Sequence, residues 1–94
     1  MALLDDATID ERLRALPSWR REGGAIVRDL ELPDFAGALR YVNAVGEVAE
    51  RRNHHPDITI HGWNKVRLVV SNHSEGGLTE ADFALAGELD GVPA

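Results

Sequence analysis

The 94-residue chain contains no cysteine, which excludes disulfide bonds, thiolate catalysis and cysteine-based zinc or iron–sulfur sites. Basic residues are in the minority: ten Lys and Arg against sixteen Asp and Glu give a net charge of −6, which argues against a general binder of nucleic-acid backbones. No apolar run approaches transmembrane length, and the N-terminal residues lack the pattern of a signal peptide. These absences predict a cytoplasmic protein that binds neither nucleic acid nor a membrane.

The length of the chain predicts a single domain over residues 1–94, because there is no room for two hydrophobic cores. The hydrophobic fraction, 44%, is ordinary for a globular protein. A domain of this size is only modestly stable alone, and oligomerisation is one common remedy.

Three helices are expected, each from an N-cap residue followed by apolar residues three or four positions apart. Their predicted bounds are about Ile9–Leu16 after Thr8, Phe35 to about Arg52 after Asp34, and Glu80 to about Leu89 after Thr79. Glu11 would complete a capping box with Thr8, and Asp82 would do so with Thr79. The central helix would cover the sheet with an apolar stripe made of Phe35, Leu39, Val42, Val45 and Ala49.

Four short strands are expected between these helices. They are predicted over Trp19–Glu22, Ala25–Leu32, Ile58–His61 and Lys65–Ser71. Gly23 and Gly24 supply the positive φ angles of a tight hairpin, and Asn72–Gly77 reads as a polar loop. The order α-β-β-α-β-β-α predicts an α+β domain with one four-stranded antiparallel sheet and three helices packed on one face.

All four histidines fall within about a third of the chain, and three of them, His54, His55 and His73, are candidates for one cluster. Pro56 pushes the residue before it into an extended conformation, so the rings of His54 and His55 would point in different directions. Antiparallel pairing of the last two strands would bring His73 back beside them. Imidazole has an unperturbed pKa closest to neutral, so this cluster is suited to proton transfer.

Each of these residues also has a structural explanation. Solvated loop histidines would account for His54, His55 and His73 equally well. Asp82 would cap its helix even without a site, although a carboxylate that accepts from an imidazole nitrogen also fixes the tautomer. Glu50 could support the site or be a solvated residue at a helix end.

The tryptophans and a zinc site are weaker candidates. Trp19 and Trp63 are more typical of core or interface packing, although a flat heterocycle does need an aromatic or apolar wall. His61 lies outside the cluster spacing and is expected on a strand surface. Three histidines can bind zinc, but adjacent ones on an extended segment are poorly placed to hold one ion, so no metal is expected.

The combined spacing resembles the signature of the pterin-4a-carbinolamine dehydratases. The matching positions are Glu50-x-x-x-His54-His55-Pro56, Trp63, His73 and Asp82, with Trp19 and Gly77-Leu78-Thr79 also similar, and they extend from about Leu16 to Leu89. Two departures are mild: Trp63 stands where tyrosine or phenylalanine is also common, and Asn72-His73-Ser74 differs from the usual threonine-histidine context.

The resemblance implies dehydration of 4a-hydroxytetrahydrobiopterin to quinonoid dihydropterin and water, in tetrahydrobiopterin recycling. It implies no metal or organic cofactor, and a homodimer or homotetramer. By resemblance, His54 and His73 are the acid and base, His55 orients the pterin, Asp82 orients His73, and Glu50 supports the site. The pterin-binding positions so implied are Asn53, His54, His55, Ser71, Asn72, His73, Ser74 and Trp19.

A second class of function stays open: a non-catalytic protein-binding or assembly-factor module on the same fold. Relatives that lack catalysis would be expected to lose part of the histidine set. This chain keeps His54, His55 and His73, which favours the enzyme.

Overall fold

Three helices and four strands alternate along residues 3–94, which are the residues that the computed structural model describes, in the order α-β-β-α-β-β-α. They are α1 (Asp6–Arg14), β1 (Arg20–Glu22), β2 (Ala25–Glu31), α2 (Phe35–Arg52), β3 (Asp57–His61), β4 (Lys65–Val70) and α3 (Glu80–Leu89). The strands form one antiparallel sheet in the order β1-β2-β4-β3. The predicted fold class is therefore confirmed. None of the helices in this part of the chain has the length and apolarity needed to span a bilayer.

Helix α1 begins earlier than predicted because Asp5, not Thr8, is its N-cap. The Asp5 carboxylate accepts a hydrogen bond from the backbone N–H of Thr8 at 2.8 Å, and hydrogen bonding to Thr8 lowers the pKa of Asp5. An aspartate at this position satisfies a free N–H group and is also attracted to the positive end of the helix dipole. The capping box predicted at Thr8 is therefore wrong, and the helix ends at Arg14, before Leu16.

The hydrophobic core lies between the sheet and the helices. Its fully or almost fully buried members include Ile26, Val66, Leu68 and Val70 from the strands, Ala38, Tyr41 and Val45 from α2, and Phe83, Leu85 and Leu89 from α3. The opposite face of the sheet carries mainly charged residues, with Val27 and Val69 paired among them. There the Asp29 carboxylate lies 2.9 Å from guanidinium nitrogens of both Arg20 and Arg67, and the hydrogen bond from Arg67 lowers the pKa of Asp29.

Only part of the apolar stripe predicted on helix α2 faces the sheet. Its buried residues are Ala38, Tyr41, Val45, Val48 and Ala49. Phe35 and Leu39 are instead 51% and 43% exposed. The helix has apolar residues around more than half of its circumference, so periodicity alone could not decide which arc faces the core. Phe35 and Leu39, which we call the outer stripe, leave α2 with an apolar surface turned to solvent.

The turn between β3 and β4 holds a bulky residue in the left-handed region. Gly62 and Trp63 have φ angles of 54° and 61°, and Trp63 is 62% exposed. The next residue, Asn64, fixes the turn: its side-chain amide donates to the carbonyl of Leu32 at 3.0 Å, and its own carbonyl accepts from the Leu32 N–H at 2.8 Å. Asn64 therefore holds Trp63 in a conformation that an L-residue adopts at a cost.

We expect Trp63→Gly to raise the free energy of unfolding by about 0.5–1 kcal/mol. The left-handed conformation costs a side-chain-bearing residue roughly 1–2 kcal/mol, which exceeds the roughly 0.5–1 kcal/mol of extra chain entropy that glycine loses on folding. Urea titration followed by circular dichroism measures the change. Trp63→Ala is the matched control, because it removes the same ring and keeps the strain. A loss of stability in the glycine variant would show that the exposed ring packs usefully.

Candidate active site

The end of α2 sets the directions of the first two histidines. Asn53 is the C-cap of the helix and has left-handed angles, φ 50° and ψ 41°. The backbone N–H of His54 then donates back to the carbonyl of Ala49, and that of Asn53 donates to the carbonyl of Glu50, both at 3.1 Å, which closes the helix in a Schellman motif. The chain leaves the helix abruptly at this point. As a result, the His54 side chain is only 18% exposed, whereas that of His55 is 57% exposed.

A buried carboxylate holds His54. The Nε2 atom of His54 lies 2.5 Å from Oδ1 of Asp82, whose side chain is completely buried. The other oxygen, Oδ2, accepts a hydrogen bond from the backbone N–H of Thr79 at 2.7 Å. Asp82 therefore caps the first turn of α3, as the sequence predicted, and contacts an imidazole at the same time.

The predicted partner of Asp82 was His73, and this assignment is wrong. Within residues 3–94 the carboxylate contacts His54 and Thr79 instead. An aspartate at the third position of a helix turns back toward its own N-cap. In α3 this direction leads into the molecule, where His54 lies, whereas His73 lies in an exposed loop.

His55 lies in a groove between α2 and the edge strand β3. The groove has a volume of about 870 Å³, and its polar lining includes Asn43, Glu47, Glu50 and His55. The Nε2 atom of His55 is 3.6 Å from Oε1 of Glu50, but both side chains are well exposed, so their attraction is weak. Ligand sites commonly have volumes of 300–1,000 Å³, so the groove has the size for a small heterocycle.

Sequence reasoning missed two groove residues, Asn43 and Glu47. Their spacing with Glu50, at positions i, i+4 and i+7, does place all three on one helix face. That signal was available. Whether this helix face borders the groove depends on which arc of α2 packs against the sheet, and the hydrophobic periodicity could not decide which arc does so.

His73 lies in a separate hollow of about 310 Å³. Its lining includes Gly24 from the β1–β2 turn and Ser71, Asn72 and His73 from the segment after β4. Asn72 orders this segment: its N–H donates to the carbonyl of Gly77 at 3.0 Å, and its side-chain oxygen accepts from the hydroxyl of Ser74 at 2.8 Å. Within residues 3–94 the His73 ring has no hydrogen-bond partner. It is therefore free to contact a ligand.

The strand register brings the three imidazoles to the same end of the sheet. Asp57 pairs with Val69, so extending this register by two residues sets His55 level with Ser71, just before His73. Hydrogen-bonded strands lie about 4.8 Å apart. His55 and His73 therefore lie at the same end of the sheet, but they line two hollows that share no lining residue, and His54 lines neither of them. His61 pairs with Lys65 at the opposite end, on the strand surface as predicted.

The remaining aromatic candidate, Trp19, belongs to the core. It is 5% exposed, and its indole N–H donates to Oδ1 of Asp90 at 2.8 Å. It is not part of the lining of either hollow. Among residues 3–94, no three His, Cys, Asp or Glu side chains are arranged to hold a metal ion.

Comparisons with known proteins identify the family of the chain. Residues 2–92 match the family described as pterin 4 alpha carbinolamine dehydratase. A provisionally named pterin-4-alpha-carbinolamine dehydratase of Thermomicrobium roseum is 49% identical over 89 residues, 95% of each chain. A similarly named protein of Roseiflexus castenholzii is 47% identical over 91 residues, 97% of each chain.

Two solved structures share the fold. The crystal structure of a transcriptional coactivator/pterin dehydratase from Brucella melitensis has a TM-score of 0.90 and 29% sequence identity, and the match covers 99% of this chain and 100% of that one. A pterin dehydratase-like protein identified as a RuBisCO assembly factor in the alpha-carboxysome has a TM-score of 0.66 at 23% identity, covering 80% and 88%; it supports the fold alone. With a family match over almost its whole length and relatives close to half identical, the chain belongs to the pterin 4 alpha carbinolamine dehydratase family.

Proposed function

We propose that the protein is a hydro-lyase that converts 4a-hydroxytetrahydrobiopterin to quinonoid dihydropterin and water in tetrahydrobiopterin recycling. One observation carries the proposal: three imidazoles lie at one end of the sheet, and one of them contacts a buried carboxylate. Dehydration of a carbinolamine needs one group that gives a proton and one that takes a proton, and no other chemistry from the protein.

The proposed reaction uses two histidines as the proton-transfer pair. The bond from C4a to the hydroxyl oxygen breaks as an acid delivers a proton to that oxygen, which leaves as water. A base takes the proton from N5, and the electron pair of the N–H bond becomes the second bond between C4a and N5. His54 and His73 would be these two groups, and solvent would return the proton from the base to the acid.

The groove beside His55 has a chemistry that suits a pterin ring. The 2-amino-4-oxopyrimidine half of a pterin presents N–H donors along one edge. The carboxylates of Glu47 and Glu50 lie in the groove as acceptors, and a carboxylate that accepts from N–H groups makes strong hydrogen bonds. His55 would orient the ring. The backbone over Asn53–His55 and Ser71–Ser74 would hydrogen-bond its heteroatoms.

We extend the proposal to a cytoplasmic homodimer or homotetramer. Two surfaces support assembly. The outer stripe, Phe35 and Leu39, exposes large apolar side chains on α2. Within the described chain, β3 pairs with β4 on one side and with no strand on the other, which leaves its outer edge free.

A protein-binding or assembly-factor module is the alternative. The exposed outer stripe and Trp63 favour it, because such groups often mark protein contacts. A module of this kind would bind a protein and ignore a pterin. Testing the enzyme therefore also tests the alternative.

The deciding experiment measures carbinolamine dehydration by the purified protein and its binding of 7,8-dihydrobiopterin. We expect acceleration of the reaction, saturable binding, and binding at least tenfold weaker in His55→Ala, since losing an orienting hydrogen bond costs about 1.4 kcal/mol or more. His61→Ala is the matched control, because it removes an exposed histidine at the other end of the sheet. A protein that neither accelerates the reaction nor binds the dihydropterin would support the module.

A further inference from the structure

The two oxygen atoms of the Asp82 carboxylate have different partners, one a backbone N–H group and the other an imidazole. Its Oδ2 atom accepts from the backbone N–H of Thr79 at 2.7 Å, and its Oδ1 atom lies 2.5 Å from Nε2 of His54. A backbone N–H can only donate. The atom that faces Thr79 must therefore be an acceptor, whatever side chain stands at position 82.

This division decides which nitrogen of His54 carries the proton. An ionised carboxylate only accepts hydrogen bonds, so Nε2 of His54 must donate, and a neutral imidazole has only one N–H. We infer that Thr79 and Asp82 are positioning residues that hold His54 as the Nε2–H tautomer and leave the lone pair on Nδ1. Nδ1 is then the only ring nitrogen of His54 left to accept a proton.

The inference rests on the proposed function for its reaction and deepens it by assigning roles. In its neutral form His54 takes the N5 proton on Nδ1, while Nε2–H stays bonded to Asp82. The proton for the departing hydroxyl then comes from His73. One proton leaves the substrate and one enters it, so the step balances without any further reactant.

The residues around His54 keep its imidazole ring in the orientation that directs Nε2 toward Asp82. Asp82 and Thr79 are completely buried, so water does not compete for the carboxylate. The backbone of His54 is tied to Ala49 by the hydrogen bond that closes α2. A half-turn of the ring would replace Nε2 by a carbon atom at the carboxylate and leave a buried charge without its partner, which is costly.

Asp82→Asn tests the inference because it should invert the tautomer. The new amide must turn its oxygen toward the Thr79 N–H, so its NH₂ group faces His54 as a donor. Nε2 then has to accept, and the ring proton moves to Nδ1. Two-bond ¹H–¹⁵N correlation spectra, recorded above the pH at which the imidazole titrates, distinguish the two tautomers. We expect Nε2–H in the wild-type protein and Nδ1–H in Asp82→Asn.

The matched control is Glu80→Gln, the same chemical change two residues earlier in α3. Glu80 is exposed and bonded to Arg12 on the surface, so this variant should keep the wild-type tautomer. In the dehydration assay, kcat of Asp82→Asn should fall by roughly 10²–10⁴-fold, as expected when a catalytic histidine is held in the wrong tautomer. KM should change little, because Asp82 is buried away from the substrate.

Several results would overturn the inference. They are an Nδ1–H tautomer in the wild-type protein, an unchanged tautomer in Asp82→Asn, or an inverted tautomer with wild-type kcat. If Asp82→Asn does not fold, the wild-type spectrum alone decides, with Glu80→Gln as its reference. If the tautomers behave as expected and the wild-type protein has no dehydratase activity, the proposed function fails and the positioning of His54 stands.

Discussion

Replacing His73 with alanine is expected to lower kcat/KM for carbinolamine dehydration by roughly 10²–10⁴-fold, the usual contribution of a general acid or base. The free energy of unfolding should stay within about 0.5 kcal/mol of the wild-type value. The ring is exposed and has no hydrogen-bond partner among residues 3–94, so folding gains little from it. Steady-state rates and urea denaturation of the same preparations provide both measurements.

His54→Ala makes an instructive contrast with that variant. It should also lose activity, but it should cost about 1–3 kcal/mol of stability, because a completely buried carboxylate at Asp82 loses its partner. His61→Ala should change neither quantity. A His73→Ala protein with the wild-type rate would mean that the proton reaches the departing hydroxyl by another route, and the acid–base pair would have to be reassigned.

Leu68→Ala is expected to reduce the free energy of unfolding by about 3 kcal/mol, within the 2–5 kcal/mol typical of leucine truncations in cores. Leu68 is completely buried in a central strand, where it lies opposite Arg28 in β2 and Ile58 in β3. Domains of this size have a total stability of about 5–15 kcal/mol. The midpoint of thermal unfolding should therefore fall by roughly 10–25 °C, since each kcal/mol corresponds to about 4–8 °C.

Val69→Ala is the matched control for this variant. Val69 is the next residue in β4, but its side chain lies on the opposite, polar face of the sheet and is only partly buried. We expect it to lose about 1 kcal/mol or less. Equal losses from the two variants would show that the polar face is covered in solution, for example by a second copy of the chain.

Most of the fold could be predicted from local rules. The hairpin at Gly23-Gly24, the Asp34 cap and the alternation along β3 and β4 were all predicted and are all present. The positive φ angle predicted for both glycines occurs only at Gly23. Two details, the N-cap of α1 and the buried face of α2, could not be predicted because the sequence allowed two alternatives for each. Asp5 and Thr8 are both good N-caps. Helix α2 has two adjacent apolar arcs, and only packing against the sheet selects one of them.

The residues of the candidate site could be proposed from the sequence, but the contacts between them could be predicted only in part. The spacing singled out Glu50, His54, His55, His73 and Asp82, and the register of β3 and β4 accounts for the shared end of the sheet. Which imidazole Asp82 would contact depends on the direction in which α3 enters the domain. That direction follows from core packing of the whole helix, and no short sequence pattern encodes it.

The close approach of the β1–β2 turn to the His73 segment ties two distant parts of the chain together. A Cβ atom on Gly24 would lie 3.7 Å from the Cα of Gly77 and 3.9 Å from the carbonyl oxygen of Gly76, which is ordinary van der Waals contact. Alanine would fit, and because Gly24 lines the same hollow as His73, a larger side chain at residue 24 would reduce the volume of that hollow. The size of residue 24 therefore limits the size of a molecule that fits in this hollow. A substitution at residue 24 can lower that limit during evolution while every proton-transferring histidine stays the same.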